Sequence, residues 1–140
     1  MKTLYQKIKS LIKRADIIAA AHDRHDSEYD DNVDENYITE RLHSIFDEDK
    51  IIPLVAITEF KYPVTQDEKS IKIATSEYRR LFNHFINNLK NIPQDLNLLH
   101  HYLYPRLYNY TSTTPSNTYQ TKNPTISLFE HLKLTSAICN

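Results

Sequence analysis

Along the first part of the chain Leu4, Ile8, Leu11, Ile12, Ala15, Ile18 and Ala19 recur at helical spacing behind Thr3, whose hydroxyl suits an N-cap. That pattern predicts a first helix of about 20 residues, with these side chains facing inward. Residues 26–36 are too acidic and polar to bury, and read as a loop or a frayed helix end. Ile38, Leu42, Ile45 and Phe46 then form the stripe of a second helix starting near Asp34. The apolar run 51–60 suits either a buried strand or a buried helix, and Pro53 and Pro63 at first-turn and closing positions favour the helix.

The clearest pattern follows. Thr65 and Glu68 have capping-box spacing, and Ile71, Ala74, Tyr78, Leu81, Phe82, Phe85, Leu89 and Ile92 continue as one broad stripe that ends before Pro93. A further helix is expected from about Gln94 to Tyr104, with Leu96, Leu99, Tyr102 and Leu103 inward and Pro105 kinking or stopping it. Between 108 and 121 Tyr and Thr surround a Thr114-Pro115-Ser116-Asn117 turn, consistent with a small β-hairpin or, over 111–125, a mobile loop. Ile126, Phe129, Leu132 and Ala137 predict a C-terminal helix. The expected architecture is therefore mainly α: residues 1–140 form a single compact helical domain of four to six helices.

Composition narrows the function. The chain of 140 residues has no glycine, whereas average usage would supply about ten. The phosphate-cradling loop, the dinucleotide fingerprint and the nucleophile elbow all need glycine where backbone turns sharply or approaches a ligand, so their standard forms are excluded. Turns fall instead to Asn and Pro, since Asn best tolerates positive φ among the other residues. The lone Cys139 cannot form an intrachain disulfide, and no apolar run approaches the ~20 residues that span a bilayer. These features point to a cytoplasmic protein without a membrane partner.

The net charge of −1 hides two opposed patches. Residues 1–25 carry six Lys/Arg against two Asp, while residues 26–50 carry two Lys/Arg against ten Asp/Glu. Asp26, Asp30, Asp31, Asp34 and Glu35 make an acidic docking candidate for a basic partner, such as the nucleic-acid-binding face of another protein. The alternation of Asp30, Asn32, Asp34 and Asn36 mimics the start of a calcium loop. Glu35 at the turn position and Arg41 at the bidentate position reject it.

Three groups of side chains could carry chemistry. His22 and His25 are three apart, as are Glu40 and His43, and on helices such pairs can ligate a divalent transition metal, as in a metal-dependent helical-bundle hydrolase. Arg79 and His84 have an Arg-x4-His spacing that resembles the HEPN family of helical ribonucleases. That resemblance implies metal-independent RNA cleavage, with the arginine stabilising phosphate charge and the histidine in acid–base chemistry. Tyr102, Tyr104, Tyr108 and Tyr110 around Arg106 offer rings that stack on bases or anchor a protein interface. The near-neutral total charge argues against general nucleic-acid affinity and favours a protein partner, with direct nucleic-acid contact as the alternative.

With no assembled catalytic set, binding is the preferred function, with no cofactor required. The expectation is a small macromolecule-binding protein of inhibitor, immunity-type or regulatory kind, such as phages and mobile elements encode, acting through a charge-polarised, tyrosine-rich surface. The enzymatic readings, a HEPN-like ribonuclease or a metal-dependent hydrolase, remain the alternatives.

Overall fold

The computed structural model describes residues 3–25, 40–47, 49–65, 67, 71–93, 95–116 and 123–139, apart from the side chains of 22–25 and Leu96. Helix α1 (Leu4–His25) is followed by strand β1 (Lys50–Ile51), a 3-10 turn (Ile57–Glu59) and strand β2 (Val64–Thr65). Helices α2 (Thr75–Leu89), α3 (Leu96–Thr111) and α4 (Leu128–Cys139) complete the fold. The architecture is mainly α with one small antiparallel pair, Lys50 opposite Thr65 and Ile51 opposite Val64.

Helix starts follow side-chain chemistry. Thr3 Oγ1 accepts the Gln6 N–H at 3.3 Å while Gln6 Oε1 accepts the Thr3 N–H at 3.0 Å, a reciprocal box that opens α1. Asp95 caps α3 by accepting the Asn97 N–H at 2.9 Å, and Ser127 Oγ accepts the Glu130 N–H at 3.2 Å ahead of α4. At α2 the Glu77 carboxylate accepts the Ala74 N–H at 3.1 Å. Alanine has no oxygen to return the bond, so Glu77 supplies this half of the motif alone.

The core centres on Leu54, Ala56, Ile73, Leu81 and Tyr110, with Tyr78 and Phe85 packed against it. Leu42 and Ile51 are also fully buried. α3 lies at the middle: it packs on α2, α4 and the 3-10 turn. Thr113, just past α3, donates its hydroxyl to the Val55 carbonyl at 2.6 Å and ties the two halves of the core together.

Four sequence expectations change. Residues 40–47 form no second helix; they are held extended by bridges from Glu40 to Lys72 and from His43 to Ile51, leaving Ile45 and Phe46 exposed while Leu42 is buried. The run 51–60 is likewise not an α-helix, because Ile51 pairs with Val64 and the Ile52 N–H donates to the Leu42 carbonyl. Thr65 lies in β2, where its hydroxyl accepts the Lys50 ammonium at 2.6 Å, so α2 begins nine residues later than the Thr65/Glu68 spacing implied. Pro105 does not stop α3, which continues across it from Leu96 to Thr111. Burial of Tyr110 beyond it holds the last turn in place against the loss of one backbone donor.

The strand pair sits at 50–51 and 64–65. Residues 108–111 are the last turn of α3, Pro115 bridges to Ser127, and 117–122 lie outside the described residues. The glycine-free chain does place Asn in the left-handed region: Asn123 has φ of 49°, and its N–H donates to Glu40 Oε2 at 3.0 Å.

Candidate functional site

The largest mismatch between chemistry and environment is on α1. Among the described elements it packs on α4 alone, and burial along it is confined to Ala15 and Ala19 at 2% and 0% exposure. Leu4, Tyr5, Ile8, Leu11, Ile12 and Ile18, expected as core apart from Tyr5, are instead 47–74% exposed. The reason is length. At 1.5 Å per residue α1 runs roughly 33 Å and α4 only about 18 Å, so α4 cannot cover the stripe.

At 100° per residue these six side chains share the face that carries Ala15 and Ala19. Lys7 and Arg14 border one side of that face, and Lys9 and the half-exposed Asp16 the other. The result is an apolar strip with a basic rim on one edge and an edge of mixed charge on the other. Contiguous exposed apolar surface of this kind marks interaction sites. Where α4 does reach, His131 Nε2 and Asp16 Oδ1 meet at 3.0 Å, with the histidine side chain buried and the carboxylate half-exposed.

A second surface runs along α3 and α4. Tyr104 and Tyr108 stand edge-on to Phe129, with ring centroids 5.5 and 5.1 Å apart, and His100 stacks on Tyr104 at 5.7 Å. Both tyrosines stay about half-exposed. Tyr110, by contrast, is a core residue whose hydroxyl accepts the Asn88 side-chain amide at 2.7 Å, so its placement in a tyrosine binding surface is corrected. Arg106 bonds the carbonyls of Asn88 and Tyr102 and lies over the Tyr102 ring, tying α3 to the end of α2.

Between α2, α3 and α4 lies an apolar trough of about 480 Å³ lined mainly by Phe82, Phe85, Leu107, Leu128 and Leu132. On the opposite, solvent side of α2, Arg79 and His84 line one shallow cleft with Ser76, Arg80 and Asn83.

The acidic candidates Asp26, Asp30, Asp31, Asp34 and Glu35 and the side chains of His22 and His25 lie outside the described residues. Glu40 accepts the Asn123 N–H, and His43, three residues on, is buried on an extended segment with no hydrogen-bond partner for Nε2 among the described residues. Among the described residues no group of three or more His, Cys, Asp or Glu is gathered as a metal would require. No helix among them is long and apolar enough to cross a membrane.

No protein-family model and no curated protein matches the chain. Solved structures do. The chain is similar to a segment of Csm1. Against Csm1 of T. onnurineus the sequence identity is 25% and the TM-score 0.63, covering 92% of this chain and 16% of that one. The Csm1–Csm4 cassettes in complex with cA4 and with AMPPNP give the same identity and TM-score, over 92% of this chain and 15% of theirs. The chain thus spans 15–16% of the length of these Csm1 neighbours.

Sequence reasoning missed the exposed strip because periodicity marks an apolar face without saying what covers it. The signal available was the length of α1 against the short C-terminal stripe. Ser76, Arg80 and Asn83 were legible as polar positions at i, i+4 and i+7, the face opposite the α2 stripe. Nothing local pairs Asp16 with His131, 115 residues away.

Proposed function

We propose that this chain is a CRISPR-associated protein-binding module that docks through the apolar strip of α1 onto a protein surface edged with acidic residues. The observation that carries the reading is the strip itself, with its large apolar side chains about half-exposed or more from Leu4 to Ile18 and only Ala15 and Ala19 buried among the described residues of α1. Each large aliphatic side chain on it yields about 1.5–3 kcal/mol when fully buried, enough to drive association once several are covered. The Lys7 and Arg14 edge sets the partner: two such edges would bring cation against cation, whereas an acidic edge would complete the fit. Similarity to Csm1, a protein seen assembled with Csm4, supports an effector subunit as the partner. A module of this kind regulates or inhibits by occupying a docking position.

The test is co-purification with recombinant Csm1 and Csm4. Wild type is expected to form a stable complex with one of them. Ile8→Glu/Ile12→Glu should abolish the complex with the circular dichroism spectrum unchanged. Lys7→Glu/Arg14→Glu, which leaves the strip intact, should weaken it at least tenfold at low salt. Undiminished binding by both variants, or no binding by wild type, overturns the reading.

A further inference from the structure

The cleft on the solvent side of α2 has a different chemistry from the α1 strip. Ser76, Arg79, Arg80, Asn83 and His84 line it, all five are exposed, and the helix repeat places them within about 140° of one another on one face. Every lining side chain offers an N–H or O–H donor, and neither a carboxylate nor an apolar side chain contributes. Arg79 and Arg80 have no ion-pair partner among the described residues. The nearest carboxylate on the helix, Glu77, points its charge elsewhere, since both its oxygens accept Arg41 Nη2 at 2.9 Å. Ser76 stands in the first turn of a 15-residue helix, where the backbone dipole adds positive potential.

We infer that this cleft binds the phosphodiester backbone of a single-stranded nucleic acid. A donor-rich cationic cleft without a carboxylate in its lining is what phosphate oxygens require, and Arg is the side chain best shaped for them. A protein partner is disfavoured because interface centres are apolar and this lining is not. The Arg pair and the Asn83/His84 pair are four residues apart, about 6 Å along the axis, so successive phosphates can each meet a pair of donors. With no Phe, Tyr or Trp in the lining, any stacking falls to the His84 ring and the arginine planes, which accept every base alike, so recognition is independent of sequence. The site is separate from the α1 strip and does not rest on that docking reading.

The experiment is fluorescence anisotropy of the full chain with labelled 20-nucleotide poly(U) RNA and poly(dT) DNA across a salt series. Wild type is expected to bind at least one of these strands, with affinity falling as salt rises. Arg79→Glu/Arg80→Glu should weaken binding at least tenfold. The milder Arg79→Ala/Arg80→Ala should reduce the slope of log K against log salt by about 1.4, the loss of two single-strand phosphate contacts. Lys61→Ala, an exposed cation far from the cleft in sequence, should leave affinity within twofold. RNA-only, DNA-only or dual binding each supports the inference and identifies the strand. Equal binding by the charge-reversed variant, or displacement of the strand by poly-glutamate at matched charge, overturns it.

Discussion

Asp16 of α1 and His131 of α4 meet at 3.0 Å across 115 residues of sequence, where α1 packs on α4. The buried imidazole is oriented by a half-exposed carboxylate. Asp16→Ala should cost about 0.5–1.5 kcal/mol, the usual net worth of one hydrogen bond. Amide exchange along α1 should accelerate more than exchange in α2 or α3. Equal changes in all three helices would show that the contact does not anchor α1 locally.

Ala15 and Ala19 are small because α4 approaches closely there. Ala19→Leu should destabilise by about 1–3 kcal/mol through overpacking, as read by thermal melting. Ala21→Leu, at an exposed position of the same helix, should stay within about 0.5 kcal/mol. A neutral Ala19→Leu would contradict the tight α1–α4 seam.

Glu77 serves two partners, the Arg41 guanidinium and the Ala74 N–H. Glu77→Gln keeps an oxygen for the backbone and should be milder than Glu77→Ala, which loses the helix-start bond and leaves largely buried Arg41 without this carboxylate. We expect about 1–3 kcal/mol for the alanine variant, measured by urea denaturation. Equal losses for the two variants would show that charge alone matters at this site.

Thr113 is buried and its hydroxyl reaches the Val55 carbonyl from 58 residues away. Thr113→Val preserves shape but strands that carbonyl, so a loss of about 1–3 kcal/mol is expected. Thr113→Ser, which keeps the hydroxyl, should recover a measurable part of it. Identical stabilities for the Val and Ser variants would assign the position to packing alone.

α1, α2, α3 and α4 each overlap a stripe that predicted a helix, although the stripe of Leu42, Ile45 and Phe46 gave none over 40–47, α2 starts later than expected and α3 runs on to Thr111. Leu42 and Ile51 belong to segments that a local pattern cannot resolve. Their extended form is settled by backbone bonds to residues far along the chain, such as Arg41 N–H to Ile71 O and His43 N–H to Pro124 O. Arg79 and His84 were legible as a pair, but the cleft that unites them with Ser76, Arg80 and Asn83 appears only once α2 has a solvent face.

The sequence by itself determined the helical character, the absence of glycine-dependent nucleotide loops, and the use of Asn at a left-handed position, because each depends on a residue and its near neighbours. Only the tertiary structure decided that Leu4, Ile8, Leu11 and Ile12 stay uncovered while Ala15 and Ala19 are sealed. An apolar face is a local property of the helix, but its burial depends on whether another element is long enough to reach it, and α4 is not.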